Sequence, residues 1–204
     1  MAPTPTLVAT DASGGYIEPV TEGMIVAVSW WAIIPLALLG SLLHFLYDWT
    51  GHNRVAAIFS AVNESYWEHI KIAVWPLVLV QIVLFVAGGH RYPAFIPAAT
   101  IALYSIPIAM VGLVFLYKHF LKRNFVWIDI TVFAIVVALA QVIFVDLFLR
   151  LDAGVWTVVG SVVFLAGLLT AFLRFTLRPP PEPDVFIDPI TGRYGIDGHP
   201  DATP

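Results

Sequence analysis

Two histidines and several carboxylates crowd two short stretches of this sequence: His44 and Asp48, then Asn63, Glu64, Ser65, Glu68, His69 and Lys71. Imidazole and carboxylate are the side chains that bind hard or borderline divalent cations and move protons near neutral pH. His44 and Asp48 are four apart and share a helix face, as do Glu64 and Glu68 if the helix starts early, and Ser65 and His69. Asp129 falls in the first turn of a later apolar segment, at similar depth. The candidate catalytic set is therefore His44, Glu64, Glu68, His69 and Asp129, and the candidate metal ligands are His44, His69 and Glu64. There is no HExxH or HxxxH motif, so a metal site has to be assembled across helices. With no cysteine in the chain, thiolate catalysis and Cys-ligated zinc, iron–sulfur or thioether-haem sites are excluded. These residues name no particular cofactor, and one histidine near a helix end is thin support for haem or pigment ligation.

The elements that must carry these residues are transmembrane helices. The 204 residues are 59% hydrophobic and only 12% charged, with a mean hydropathy of +0.86. A soluble domain needs about twice that charge to wet its surface. A span of ~30 Å of hydrocarbon takes roughly 20 helical residues. Five runs qualify: about Met24 to Tyr47, Tyr66 to Ala87, Ala94 to Tyr117, Val126 to Leu149 and Gly154 to Leu177. They lack the period-two alternation of barrel strands, so the predicted fold is an all-α, polytopic transmembrane bundle of five spans. Between the first two spans, Val55 to Val62 is too short to cross and too apolar for an ordinary loop. It is expected to form a short interfacial or re-entrant helix.

Five spans put the termini on opposite sides. One side holds Arg91 and Arg150; the other holds Arg54, Lys71, Lys118, Lys122, Arg123, Arg174, Arg178 and Arg193. By the positive-inside rule, residues 1–23 are an extracytoplasmic segment, 24–177 the transmembrane domain, and 178–204 a Pro-rich cytoplasmic tail. Residues 1–23 carry acidic residues and no Lys or Arg, the wrong charge for a signal peptide, so the first span reads as an uncleaved anchor. Trp30, Trp31, Tyr92 and Trp156 fall at the outer interface, and Trp49, Trp67, Tyr117 and Trp127 at the inner one. The net charge of −4 offers no field for nucleic acid. The expected partners are the lipid bilayer and a membrane protein docked through the cytoplasmic face and tail. The run Pro179, Pro180, Pro181, Glu182, Pro183 stops the last helix, turn chemistry follows at Asp188, Pro189 and Gly192, and the last residues are expected to be disordered.

Several polar residues also have structural roles. Ser65 to Glu68 spells a capping box, in which Glu68 reaches back to the Ser65 backbone N–H. Lys71 can snorkel to the headgroups or pair with Glu68. Gln81 and Gln141 each lie 14 residues after a tryptophan at the inner belt, so they form a pair at one depth. That pair is expected to make an interhelical amide bond or to contact a substrate. Asp146 and Arg150 are expected to pair, Pro35, Pro76, Pro97 and Pro107 to kink spans, and Gly160 with Gly167 to form a packing face.

The stretch from His44 to Tyr47, FSAVNESYWEHIK from Phe59 to Lys71, and DPITGRYGI from Asp188 to Ile196 together resemble an uncharacterised family of small bacterial multi-span membrane proteins, the domain of unknown function 6512. The resemblance implies no reaction, cofactor or partner. It does imply that the first loop and the tail belong to one pattern. Ser41 and His44 are also reminiscent of one helix of membrane zinc hydrolases of the alkaline ceramidase kind, but the fifth span has no histidine for the late pair those enzymes carry. The leading functional expectation is a non-enzymatic carrier or accessory subunit with a polar cytoplasmic face. The alternative is an interfacial hydrolase or lipid-modifying enzyme built on the His and carboxylate cluster, and a third reading is proton-coupled transport.

Overall fold

The computed structural model describes residues 20–121, 125–180 and 184–200. The N-terminal segment to residue 19, the loop basic residues Lys122 and Arg123, and the last four residues of the tail lie outside the described residues. Long helices dominate: α1 Glu22–Trp31, α2 Ile33–Trp49, the short α3 Arg54–Phe59, α4 Tyr66–Ala87, α5 Phe95–Leu121, α6 Val126–Arg150 and α7 Val155–Leu177. Among the described residues there is no strand, only an isolated bridge between Ile187 and Tyr194. α4 to α7 each have the length and hydropathy to cross a membrane, and α1 with α2 meets the same test as a pair bent by 49°. The described residues thus form an all-helical bundle with four candidate membrane spans, or five with the bent pair counted as one.

The bend has a cause in the sequence. Pro35 has no N–H to offer the carbonyl of Trp31, and its ring crowds that carbonyl, so the helix breaks one turn earlier at Ala32. Pro76 and Pro107, expected to kink their spans, sit inside the unbroken helices α4 and α5, and Pro97 falls in the first turn of α5. Helix starts follow their caps: Thr21 accepts from the Met24 N–H, Asn53 from Val55 and Ala56, and Ser65 from Glu68.

α5 packs against α4, α6 and α7, and α4 also against α2. Val74, Leu77, Leu103, Ile106, Val136, Ala140 and Phe172 form the main core. A second layer toward the other end joins Ile25, Phe95, Phe144 and Phe148. Gly40 lets α2 close on both α4 and α6: a Cβ there would stand 2.9 Å from the Ile72 carbonyl and 2.5 Å from the Phe133 ring. α7 is peripheral and presents Val155, Trp156, Val159, Val163 and Phe164 outward, the surface a lipid-facing helix needs. Gly160 and Gly167 meet nothing within 4 Å, so the expected small-residue packing face is not used inside this bundle. Trp67, expected at the inner belt, is half-buried, stacking on Phe172 at 4.7 Å and meeting Phe186 of the tail at 5.0 Å.

The tail folds back onto the end of the bundle where α2 finishes and α4 begins. Asp188 is fully buried and accepts from the Ile190 and Thr191 N–H groups, while its own N–H donates to the Arg193 carbonyl, so DPITGRYG is a tight turn. Gly192 and Gly195 take positive φ of 69° and 57°, the left-handed conformation that glycine adopts without strain. The Asn63 amide donates to the Gly195 carbonyl at 2.8 Å, and Ile196 packs on the small cluster of Tyr47, Ala57 and Val62. The two most distinctive words of the sequence, NESYWEH and DPITGRYG, are in contact.

Candidate functional site

α2 ends with His44 one turn from its C-terminus, the loop before α4 presents Glu64, and His69 follows one turn into α4. The Nε2 of His44 lies 3.4 Å from Glu64 Oε1, and the Nε2 of His69 lies 3.7 Å from Glu64 Oε2. The two imidazoles meet edge to face with centroids 5.3 Å apart. One ligand atom from each of the three residues lies within 4.8 Å of the other two, close enough to hold a metal ion. Tetrahedral ligands at roughly 2.0–2.1 Å from zinc are about 3.3–3.4 Å from each other, so closing this triad on a cation takes only small side-chain movements.

Backbone contacts orient the ligands. The Nδ1 of His69 is 2.9 Å from the Ser65 carbonyl. A carbonyl only accepts, so Nδ1 carries the proton and Nε2 turns its lone pair toward Glu64. A histidine tautomer fixed in this way by a backbone carbonyl is the usual support of a metal ligand. Glu64 is itself placed by its neighbours in the chain: the Asn63 side chain accepts from the Ser65 N–H and donates to the tail, and the Glu64 N–H faces Asp188 at 3.5 Å. The His44 imidazole hydrogen-bonded to Glu64 holds its carboxyl below the ordinary carboxylate range, against the opposing effect of partial burial.

These three residues line a cavity of about 370 Å³ together with Asp129 from the first turn of α6 and Ser41 from α2. The remaining wall is apolar, formed by Phe45, Ile72, Val126, Ile130 and Phe133. Asp129 accepts a short hydrogen bond from the Tyr117 hydroxyl, which fixes its carboxylate across the α5–α6 turn.

Glu68 does not join them. It is buried with Lys71, Nζ to Oε2 2.5 Å, and accepts from the Val62 N–H at 3.0 Å. Lys71 is fully buried and donates to the Ala57 carbonyl at 2.7 Å and to Thr176 Oγ1 at 3.4 Å. Of the two expectations for Lys71, the pair with Glu68 is the one the structure holds, and snorkelling is not; the capping box is corrected, since Ser65 caps α4 but its N–H is taken by Asn63 and the Glu68 carboxylate goes to the ammonium, a stronger partner in a buried place. The pair ties α3, α4 and α7 together, with Trp75 adding a 2.8 Å bond to the Ile58 carbonyl.

Gln81 and Gln141 do not bond to each other either. Gln141 donates to the Ser29 carbonyl at 2.8 Å. The helical partner of that carbonyl would be Ile33, across the break at Ala32, so the amide fills a place the bend opens. Gln81 lines a separate apolar cavity of about 210 Å³ between α4, α5 and α7, and neither its amide nitrogen nor its oxygen has a partner among the described residues. Asp146 and Arg150 form the expected pair, at 2.8 Å. Asp48 points away from His44 toward His52 and His199. Sequence reasoning missed those two histidines and the Tyr117 support for Asp129. The four-residue spacing of Asp48 and His52 was a signal for the first; for the others no local pattern exists.

The fold and this cavity define an all-helical protein whose long helices are apolar enough to span a membrane, with a histidine and carboxylate cluster at one end of the bundle. The chain belongs to the family of unknown function DUF6512, whose pattern matches residues 23–196 and so takes in every residue of that cluster. No curated protein and no solved structure matches it.

Proposed function

We propose that His44, Glu64 and His69 bind a borderline divalent cation such as zinc, and that the site hydrolyses an amphiphilic substrate at the membrane interface. The observation that carries this reading is the convergence of three ligand atoms within 4.8 Å on the polar wall of a cavity whose other wall is apolar. Such a cavity suits a polar head group joined to the start of a hydrocarbon chain. Three protein ligands leave a coordination position open, and a cation there would polarise the scissile carbonyl or phosphoryl group. Asp129, in the same cavity, would take the proton of the attacking water and pass it to the leaving group as its bond breaks. The eight-to-two distribution of Lys and Arg supports a cytoplasmic position for this end in a bacterial inner membrane.

The test is turnover of acyl-ester and phosphoester lipids in mixed micelles with zinc supplied. Cleavage lost in both Glu64→Gln and Asp129→Asn supports the reading, and cleavage equal to wild type in either overturns that residue's role. A second reading, a carrier or an accessory subunit, is supported by the unpartnered Gln81 amide in its own cavity. It predicts a co-purifying lipid or membrane protein whose association is weakened by Gln81→Leu or by cutting the chain after Pro183.

A further inference from the structure

Asp48, His52 and His199 make a second convergence of ligands, separate from the cavity. The Nε2 of His199 is 2.8 Å and the Nε2 of His52 3.4 Å from the same carboxylate oxygen of Asp48. The two imidazoles lie 4.5 Å apart by centroid, both against the Tyr47 ring at 5.0 and 5.3 Å. One ligand atom from each of the three residues lies within 4.8 Å of the others. They come from three places: the end of α2, the turn after it, and a tail residue 151 positions away from Asp48. His52 reaches its place from a positive φ of 63°, directly after Gly51 at the same φ. Histidine adopts the left-handed region more readily than most residues, yet it is uncommon there, and such backbone states collect where a side chain must be aimed.

We infer that Asp48, His52 and His199 bind a divalent transition metal that clamps the tail to the first turn of the bundle. Two imidazoles and one carboxylate select zinc, nickel or copper over magnesium or calcium. The clamp is structural: it joins chain segments that are remote in sequence, and two of its ligands are exposed, with Asp48 and His52 side chains 55% and 42% accessible, while His199 from the tail is 11% accessible. Its effect reaches the cavity, because the tail it secures carries the Asn63 and Glu64 contacts of Gly195 and Asp188.

The experiment uses the full chain in detergent, purified on a histidine-free tag, with zinc as the only added metal. Trypsin cleavage after Arg193, which is exposed in the tail turn, reports release of the tail. A cation that binds only the docked tail, at about ten times its Kd, lowers the undocked population and hence the cleavage rate roughly tenfold. The expected result is that protection in wild type, its loss in His199→Gln and in His52→Asn, which keeps a residue suited to the left-handed backbone, and its retention in a His44→Ala, His69→Ala double variant. Protection that persists in His199→Gln, or a wild-type rate indifferent to zinc, overturns the inference. The double variant separates the two sites: retained protection with no loss of bound zinc relative to wild type would refute the cavity site while leaving the clamp standing.

Discussion

His69 and Glu64 face each other at 3.7 Å through atoms that both carry lone pairs, because the Ser65 carbonyl keeps the ring proton of His69 on Nδ1. Two acceptors facing each other are reconciled by what lies between them, a proton, a cation or a bridging water. Glu64→Gln puts an amide there with the same shape and no charge. Zinc affinity at this site is predicted to fall at least about tenfold, with the helical content by circular dichroism unchanged. Unaltered zinc binding in Glu64→Gln would remove the carboxylate from the ligand set.

The acidity of Glu64 gives a pH dependence with a definite sign. Its carboxyl is more acidic in the folded protein than in an unfolded chain because the His44 imidazole hydrogen-bonds it. A group with a depressed folded value stabilises the fold above its unfolded value, and that contribution is lost as pH falls through the depressed one. Thermal stability in detergent is predicted to decline through the acid carboxylate range, and Glu64→Gln to flatten that decline. An identical acid profile in the variant would contradict the assignment.

The Glu68–Lys71 pair is predicted to be the most sensitive polar element of the fold. Both side chains are buried, so removing one leaves an uncompensated charge. Lys71→Met should cost about 3–5 kcal/mol, whereas Lys71→Met combined with Glu68→Leu should cost less than either change alone. Chemical denaturation of the four proteins checks this, and additive losses would show that the pair is not coupled.

Close approach of α2 is a requirement of the cavity. Gly40→Ala places a methyl group against the Ile72 carbonyl and the Phe133 ring, and the backbone carbonyl cannot swing aside. The predicted cost is about 1–3 kcal/mol, together with weaker zinc binding, since Phe133 lines the cavity. Wild-type melting and zinc affinity in Gly40→Ala would contradict the packing described.

The spans were readable because hydropathy over twenty residues is a strong signal: Tyr66–Ala87 starts and ends where the sequence places it. The short helix was readable as well, since an apolar run of eight cannot cross, and Arg54–Phe59 is helical. Placing His44, Glu64, His69 and Asp129 at one depth followed from helix register. A pair between Glu68 and Lys71, three residues apart on one helix, was legible too; its full burial was not, because that comes from contacts with α3 and α7. The tail was the least legible part. His199 meets Asp48 across 151 residues, and no periodicity encodes such a contact. Gln141 was misread for a related reason: its partner is a carbonyl at the Pro35 break, visible only once α1 packs on α6.

The central claim is that His44, Glu64 and His69 form a cation site, and equilibrium zinc binding to the full chain, with the Asp48 cluster disabled by His199→Gln, tests it most directly. The account predicts one bound equivalent in that background and none when His44→Ala or His69→Ala is added. An unchanged equivalent in both added variants, or no bound zinc in the starting protein, would contradict it.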